Sequence, residues 1–578
     1  MAQRKGTLIQ KKYREYLTST LAMSASLYLA AIVDNIMVGK LLGPEALSAL
    51  NLTSPIVYIK NIIFSIFIFG GNTLAAMYKG KRDNENADKA FTFSLIFGMI
   101  ASTILMLGGM ALAVPTATAF SQGGTLFDTT LAYIIPLWAS GPFVVLNSGT
   151  AAYVRTDGMK GLATALPIVS NVINLVMDYV YMAIFGWGVA GAGWATVTGY
   201  AVGSLLLIFY FRSPQRTVHF IRLSLKDIKV MLGVLQTGLP TALIQVCNCV
   251  RTTCINAVIL QSAGTVGLQV VSICLTAFNI AMIFINGTST TLMPICGALY
   301  GEHDNKGVRV ALRYALIITE ILSLAVLVVF ELFPTAVGGL FVKLTPELAL
   351  RLGSALRIFS ICIPFYGLAY ILRAFYQSTK QRGAASLFTI LEGVVFIVPL
   401  IYLFAKTNES LMWLSFAIAE LASVLVMVGI MQMAARRKGM RSFLMLDAAN
   451  EEDALDFSIE NRMEEAVKVP REVRSFCLKN GVDETTSMAL AVSSEELASN
   501  IAKYAYKGKN DIDICLRLLE DKLVLRFRDD GAIFNPTEYI DDSGKEITGL
   551  TLVRSLTPDI AYNRVLGFNV TIVTVPQK

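Results

Sequence analysis

Twelve separate apolar segments constrain the fold of this chain more than any other feature, because each is long enough to cross a bilayer. A spanning helix needs roughly 20 apolar residues. Only 16% of the 578 residues are charged, against about 25% in an average soluble domain. The segments approximately span 15–39, 53–78, 91–114, 130–154, 162–185, 189–211, 237–260, 267–297, 308–333, 347–376, 384–405 and 411–435. The first three quarters of the sequence therefore predict an all-α polytopic membrane bundle.

The loops between these segments alternate between basic and nearly uncharged. The basic loops and ends contain Arg4, Lys5, Lys11, Lys12, Lys79, Lys81, Arg82, Arg155, Lys160, Arg212, Arg216, Arg222, Lys306, Arg309, Lys380, Arg382, Arg436, Arg437 and Lys438. Because cytoplasmic loops are enriched in Lys and Arg, this alternation predicts that both termini are cytoplasmic. The net charge of +7 is spread over these loops, so we predict no nucleic-acid partner.

The two halves of the membrane part resemble each other. Gly80-Lys-Arg-Asp83-Asn84 follows the second segment, and Gly301-Glu-His-Asp304-Asn305 follows the eighth. This repeat predicts two six-helix lobes, 1–212 and 237–440, a plan that many transporters use with the substrate path between the lobes. The connector 213–236 reads either as an amphipathic segment on the cytoplasmic surface or as a plain linker.

A polar stripe lies in the middle of the fifth segment. Asn171, Asn174 and Asp178 have the spacing of one helix face. An Asp at the bilayer centre costs about 2.5–3.5 kcal/mol on insertion scales. Such a cost is typical of a site for ions, protons or a polar substrate, although a polar group that only joins two helices is the alternative. A second acid, Asp34, lies in another apolar segment and favours the functional interpretation.

Two stretches carry a family resemblance that covers about residues 10–437. Val33-Asp34-Asn35-Ile36-Met37-Val38-Gly39 resembles the first helix of multidrug and toxic compound extrusion (MATE) transporters. Asn174-x-x-x-Asp178, with the Gly-rich stretch 186–196 after it, is similar to their fifth and sixth helices. The resemblance implies export of small, drug-like, amphipathic organic cations, coupled to inward flow of H⁺ or Na⁺. Membrane lipid is the other partner expected of the bundle.

The same resemblance implies a cation-coupling cluster, composed of Asp34, Asn171, Asn174, Asp178 and Thr196. Two carboxylates in one desolvated cavity repel each other, so one of them can take up and release a proton. The amide and hydroxyl groups would orient the acids or offer oxygen ligands to Na⁺. The sequence leaves H⁺ and Na⁺ equally open.

The second half departs from one branch of this family, which has acids in the seventh and tenth helices. Here the membrane charges in those helices are Arg251 and Arg373. Their expected partners on neighbouring helices are Glu320, Glu392 and Glu420. This pattern favours ion coupling in the first half. Alternatively, Arg251 would meet an anionic group of the substrate.

Beyond residue 441 the chain becomes polar. We predict an acidic linker over 441–454 and a small cytoplasmic α/β sandwich domain over 455–578. The predicted elements are a strand over 455–459, helices over 472–480 and 483–504, a hairpin over 512–527 and a final hairpin over 565–575 that turns at Gly567.

Three motifs follow in order on this scaffold: Glu496-x-x-x-Asn500, Asp529-Asp-Gly531 and Thr548-Gly549. Together they resemble the histidine-kinase/gyrase/Hsp90 ATPase superfamily, and especially the anti-sigma-factor serine kinases. The resemblance implies that Asn500 binds Mg²⁺, Glu496 acts as general base and Asp529 accepts the adenine amino group. Gly531 and Gly549 would let the backbone approach ATP.

The tail also departs from this pattern. Ile547 stands where a glycine is usual, the lid segment 539–546 is short, and Tyr504 replaces a histidine. ATP binding is therefore expected, whereas phosphoryl transfer stays open. The two histidines, His219 and His303, lie in loops of the membrane part, which excludes a phosphoacceptor helix before the domain.

Two functional hypotheses follow. The first is an antiporter of the bacterial inner membrane with an ATP-binding regulatory tail, because the chain has no P-loop that could power transport. The alternative is a membrane sensor whose transporter-like bundle controls a serine kinase or docking domain with a cytoplasmic protein partner. Flipping of a lipid-linked substrate is a third hypothesis, favoured only by the intramembrane arginines.

Overall fold

The computed structural model describes residues 6–80, 83–157, 159–214, 216–440, 442–446, 454–505, 510–519, 521–538, 549–557 and 559–576. Within them, eleven helices are long and apolar enough to cross a membrane. They are α1 Thr7–Leu42, α2 Pro44–Lys79, α3 Asn84–Ala111, α4 Phe127–Thr156, α5 Gly161–Ile184, α6 Gly188–Phe211, α7 Ile228–Gly301, α8 Asn305–Leu332, α9 Pro346–Ser378, α10 Arg382–Ala405 and α11 Glu409–Arg437.

The helix α7 contains two of the twelve predicted spans. It is 74 residues long, and its path breaks at Gly264, whose φ is 67° and ψ is −163°. Glycine adopts this left-handed conformation readily because it has no Cβ. The break falls between the predicted segments 237–260 and 267–297, which explains why eleven continuous helices satisfy a pattern of twelve spans.

Several spanning helices contain a π-helical turn, in which the hydrogen bonds run from i to i+5 and the turn holds one additional residue. These turns lie at Ser65–Phe69, Val145–Gly149, Val180–Ile184 and Leu391–Val395. Such turns occur frequently at functional sites. One of them begins two residues after Asp178, and another contains Glu392.

The helix α1 packs along helices of the second half over most of its length. Tyr13 Oη donates to the carbonyl oxygen of Thr288 at 2.9 Å, and the hydroxyls of Thr20 and Thr291 are 2.5 Å apart. At the opposite end, Lys40 Nζ donates to the carbonyl oxygen of Gly339. Because Asp34 on the same helix faces α5, α1 lies between the two halves of the bundle.

The tail forms one antiparallel sheet with helices on one face. Its elements are β1 Ala454–Glu460, α12 Met463–Ala466, α13 Val469–Lys479, α14 Glu484–Tyr504, β2 Asp511–Leu518, β3 Lys522–Asp529, α15 Gly549–Leu556, β4 Asp559–Val565 and β5 Phe568–Pro576. The strand order is β1-β2-β3-β5-β4. This sheet and its helices agree with the predicted α/β domain, although the last hairpin begins six residues earlier than predicted.

Local sequence explains the ends of these elements. Asp483 caps α14 by accepting from the backbone N–H of Thr486 at 2.9 Å. The hairpin β4–β5 turns at Leu566 and Gly567, with φ of 55° and 78°, as a tight two-residue turn requires. Of the predicted linker 441–454, the structure describes 442–446 and Ala454, which already belongs to β1. Both the lid segment 539–546 and Ile547 lie outside the described residues.

Candidate functional sites

Asp34 on α1 and Asp178 on α5 face each other inside the bundle. Their carboxyl groups lie within hydrogen-bonding reach of one another, and Asp178 is fully buried. Both Asp178 oxygens and Asp34 Oδ1 lack a hydrogen-bond donor among the described residues. Because two adjacent buried carboxylates repel each other, a shared proton or a bound cation would satisfy this arrangement.

A cavity of about 300 Å³ opens beside this acid pair. Its polar lining consists of Ser26, Asp34, Asn171 and Asn174, and its apolar lining consists of Leu29, Ala30, Val33, Ile168, Val172 and Leu175. Ligand pockets typically combine an apolar wall with a few converging polar groups. The cavity therefore brings two residues of the predicted polar stripe, Asn171 and Asn174, to the same space as Asp34, and Asp178 lies behind Asp34 rather than in the cavity wall.

Asn174 and Thr196 are oriented by hydrogen bonds. Asn174 Nδ2 donates to Thr196 Oγ1 at 3.4 Å, and that hydroxyl donates to the carbonyl oxygen of Ala192 at 3.2 Å. The amide oxygen of Asn174 is thereby left as the available acceptor of this side chain. All five residues predicted for cation coupling thus lie on α1, α5 and α6, close to the Asp34–Asp178 pair or the cavity next to it.

Three polar residues of the first half were missed in the sequence. Tyr133 on α4 and Tyr200 on α6 lie close enough to Asp34 to interact electrostatically with it. Lys60 on α2 donates from Nζ to Leu137 O at 2.8 Å and to Ser140 Oγ at 2.7 Å. A lone lysine in an apolar segment was the available signal for Lys60, whereas tyrosines in membrane helices are too common to be one.

The second half contains two ion pairs between helices. Arg373 Nη1 lies 2.8 Å from Glu392 Oε2, and Arg251 Nη2 lies 3.4 Å from Glu420 Oε1. Arg373 also lies over the ring of Tyr370, 4.5 Å from its centroid. Two of the three acids expected to pair with arginine do so. Glu320 Oε1 is buried without a hydrogen-bond partner in the described part of the chain.

In the tail, Glu496 and Asn500 lie one turn apart on α14. Asn500 Nδ2 donates to Glu496 Oε1 at 2.9 Å. The first residue of α15, Gly549, lies against this pair, because a Cβ there would be 1.9 Å from Glu496 Oε1. A side chain at position 549 would therefore require the Glu496 carboxylate to turn away or α15 to move.

Asp529 ends β3 and is held by two donors. Its Oδ1 accepts from the backbone N–H of Gly531 at 2.9 Å and from Asn569 Nδ2 at 2.8 Å. Burial raises the pKa of Asp529 above its usual value, even though these hydrogen bonds favour the charged form. The sequence analysis missed Asn569, because this residue is far from Asp529 in the chain and reaches it only through the pairing of β5 with β3.

Gly531 sits where the backbone passes α14 closely. A Cβ at Gly531 would be 2.5 Å from the carbonyl oxygen of Ala505, and that oxygen accepts from the N–H of Ala532 at 2.9 Å. This contact brings the end of β3 to the end of α14. The predicted nucleotide-binding residues Asn500 of α14 and Asp529 of β3 are thereby brought close together.

Asn500, Tyr504, Asp529, Phe534 and Asn569 line one narrow cavity of about 30 Å³. Its chemistry fits an adenine nucleotide, with a carboxylate at one wall and Asn500 beside Glu496 at the other. The volume is smaller than an adenine base, so nucleotide entry requires the cavity to widen. The described residues contain no group of three His, Cys, Asp or Glu side chains that could hold a metal. Mg²⁺ would therefore need phosphate oxygens in addition to Asn500.

Family models match both parts of the chain. The MatE model matches residues 20–180 and 240–403, more than half of the sequence. The histidine kinase-like ATPase domain model matches residues 459–575. The second match covers strands β2 to β4 and nearly all of β5, together with the Glu496–Asn500 and Asp529 regions, whereas most of β1 precedes it.

Individual relatives and solved structures agree with the first match. "Multidrug export protein MepA" from Staphylococcus saprophyticus subsp. saprophyticus is 24% identical over 378 residues, covering 64% of this chain and 82% of the relative. The protein of the same name from Staphylococcus aureus (strain bovine RF122 / ET3-1) is 23% identical over 397 residues, covering 67% and 86%.

Two solved structures share the fold. One is the inward-facing conformation of a multidrug resistance MATE family transporter, with a TM-score of 0.65 and 24% identity, covering 73% of this chain and 98% of that one. The other is a transporter from Pyrococcus furiosus, with a TM-score of 0.60 and 23% identity, covering 76% of this chain and 100% of that one. The chain is a multi-pass membrane protein that belongs to the MatE family of multidrug efflux transporters and carries a C-terminal histidine kinase-like ATPase domain.

Proposed function

We propose that this protein is a secondary antiporter that exports drug-like organic cations in exchange for H⁺ or Na⁺, and that its tail is an ATP-binding regulatory domain. The observation that carries the proposal is the pair Asp34 and Asp178, which face each other beside a cavity of about 300 Å³. The relatives are named multidrug export proteins, which supports the substrate class.

The acid pair gives a direct mechanism for exchange. With both carboxylates charged, the cavity attracts an organic cation, whose apolar body packs against the aliphatic lining. Arrival of a proton at either carboxyl removes one negative charge and weakens this attraction. Na⁺ would act in the same way through the carboxylate oxygens and the amide oxygen of Asn174, which are hard ligands. Competition for one charged site thus couples the inward ion to the outward substrate.

The tail residues fit nucleotide binding. Asp529 would accept from the adenine amino group, and the backbone at Gly531 and Gly549 would approach the nucleotide. Asn500 would hold Mg²⁺ together with the phosphates, and that ion would neutralise phosphate charge when bound. The Glu496 carboxylate accepts a hydrogen bond from Asn500 and would take a proton from a water or hydroxyl.

The topology proposed with this function has both termini in the cytoplasm. The lobes would comprise 1–212 and 237–440, with 213–236 as the cytoplasmic connector, 441–454 as the linker and 455–578 as the ATP-binding domain. The tail would then meet cytoplasmic ATP directly. The face of the bundle against which the tail packs would then be its cytoplasmic face.

The test is efflux of a fluorescent organic cation from proteoliposomes under an imposed pH or Na⁺ gradient. We expect Asp34→Asn and Asp178→Asn each to abolish gradient-driven efflux at equal reconstitution. Asp128→Asn is the matched control, because Asp128 is an exposed carboxylate at the start of α4. Unchanged efflux in both test variants would contradict the coupling assignment. An inert wild type that phosphorylates a cytoplasmic protein would favour the sensor alternative.

A further inference from the structure

We propose that nucleotide binding to the tail acts on transport through a clamp, formed where the tail sheet grips the cytoplasmic end of α1 and the loop between α7 and α8. The clamp is defined by Arg526, Arg528, Asp530 and Phe568 on the tail, and by Lys11, Lys12, Glu302 and Asp304 on the bundle. This inference rests on the proposed function and names the route of its regulation.

The first half of the clamp is a set of ion pairs on β3. Leu525 and Phe527 point into the tail core, so Arg526 and Arg528 point to the opposite face of the sheet. Arg528 Nη1 lies 2.8 Å from Asp304 Oδ2, and Arg526 Nη1 lies 3.2 Å from Glu302 Oε2. The Arg528 side chain is only 1% exposed, because the membrane bundle covers this face.

The loop that receives these arginines is itself ordered by Asp304. Its Oδ1 accepts from the backbone N–H of Gly307 at 2.9 Å and thereby caps α8. Arg528 Nη2 also pairs with Glu302. A shift of β3 would consequently move the start of a spanning helix.

The second half of the clamp holds α1. Lys11 Nζ lies 2.8 Å from Asp530 Oδ2, and Lys12 Nζ lies 5.6 Å from the centre of the Phe568 ring. The β4–β5 turn reaches Lys12 as well, because a Cβ on Gly567 would be 2.9 Å from its Nζ. Leu8 of α1 is buried against Phe568 and Val570. Charged and apolar contacts therefore fix the same end of α1.

The clamp residues adjoin the candidate nucleotide site in the sequence. Asp530 directly follows Asp529, the candidate adenine acceptor. Phe568 directly precedes Asn569, which donates to Asp529. Widening of the cavity for a nucleotide would displace the end of β3 and the start of β5, which carry the contacts to α1.

The helix α1 would transmit this displacement to the acid pair. It is continuous from Thr7 to Leu42, so Lys11 and Asp34 lie on one element, about 35 Å apart at 1.5 Å per residue. A rigid element with contacts at both ends can bias the equilibrium between two arrangements of the bundle. Nucleotide occupancy and the ion site are thereby connected through a single helix.

The experiment uses the full-length protein in proteoliposomes, with the rate of organic-cation efflux measured with and without Mg-ATP on the tail side. Binding of a fluorescent ATP analogue is measured in the same preparation. We expect ATP to change the wild-type rate by about fivefold, the lower end of common allosteric effects. Lys11→Glu should bring the ratio of the two rates to one, with analogue binding and efflux without ATP unchanged. The double variant Lys11→Glu/Asp530→Lys should restore the ATP response.

Lys468→Glu is the matched control, because Lys468 is an exposed lysine that pairs with Glu465 inside the tail. A wild-type ATP response in Lys11→Glu would overturn the inference, and so would an ATP response lost equally in Lys468→Glu. A wild type that binds the analogue and transports without any ATP response would also overturn it.

Amide hydrogen exchange of residues 7–15 and 302–308 separates the clamp from transport. We expect a saturating ATP analogue to change exchange in both stretches of the wild type, but not in 7–15 of Lys11→Glu. A protein that exchanges in this way without transporting would contradict the proposed function and leave the clamp supported. Unchanged exchange in both stretches, or no nucleotide binding, would overturn the clamp.

Discussion

Arg528 and Asp304, which are 224 residues apart in the chain, form an ion pair of 2.8 Å with both side chains only 1% exposed. One residue belongs to the tail sheet and the other begins a spanning helix. A charge buried this deeply needs its partner, because little water remains to solvate it. The pair makes the tail and the bundle parts of one packed structure.

Loss of Arg528 should destabilise the protein. Arg528→Met leaves Asp304 and Glu302 with Arg526 as their remaining cationic partner, at the longer distances of 3.4 and 3.2 Å. Removal of one member of a buried ion pair typically costs about 3–5 kcal/mol, and the residual Arg526 contacts place the expected cost at the lower end of that range. We expect a marked fall in the thermal unfolding temperature of the full-length protein. Arg462→Met, which breaks the exposed pair with Glu460, should cost about 0–1 kcal/mol. Equal shifts in both variants would mean that burial does not matter at the interface.

Gly549→Ala should weaken nucleotide binding. The added Cβ would lie 1.9 Å from Glu496 Oε1, so the Glu496 side chain must leave Asn500 or α15 must move away. A loss of about 1.4 kcal/mol or more corresponds to at least tenfold weaker binding of a fluorescent ATP analogue. Ser555→Ala, at an exposed position of the same helix, should bind normally. Wild-type affinity in Gly549→Ala would show that α15 does not approach the nucleotide.

Asp529 should make nucleotide binding sensitive to acid. Burial raises its pKa above the ordinary 3.8, so on acidification it takes up a proton earlier than an exposed Asp. The protonated group is a poorer acceptor for the adenine amino group. ATP-analogue affinity should therefore fall as the pH drops through this raised pKa, and Asp529→Asn should bind weakly with no such fall.

The stability of the tail should change with pH in the opposite direction. An acid with a raised folded-state pKa favours the folded state when protonated, and this contribution is lost as pH rises from 3.8 through the raised value. At neutral pH the charged Asp529 thus destabilises the folded tail, and Asp529→Asn should raise the unfolding temperature. A variant that is both less stable and unable to bind would indicate a structural role for this carboxylate.

Removing one member of the Arg373–Glu392 pair should destabilise the protein more than removing both. Arg373→Met strands Glu392, which is 4% exposed, and should cost about 3–5 kcal/mol. Arg373→Met/Glu392→Leu removes both charges and should recover most of that loss in thermal unfolding. Efflux by the double variant then decides the role of the pair. Full activity indicates a structural pair, whereas its loss indicates contact with the substrate.

Local pattern alone determined the spanning helices and the predicted functional motifs. Apolar length marks a spanning helix whatever lies beside it, so even the break at Gly264 fell between two predicted segments. Glu496 and Asn500 are one turn apart on a single helix, so their proximity follows from helix geometry. The turn at Gly567 was equally readable, because a tight hairpin needs left-handed residues.

Contacts between distant residues were decided only by the tertiary structure. Nothing near Asp529 in the chain indicates that Asn569 donates to it, since the two meet through the pairing of β3 with β5. Arg526 and Arg528 alternate with apolar residues as on any solvated sheet face, yet the bundle buries them. Alternation records which face a side chain occupies, whereas what covers that face depends on how whole domains pack. The connection between the tail, α1 and Asp34 therefore follows from domain packing and could not be predicted from the sequence pattern.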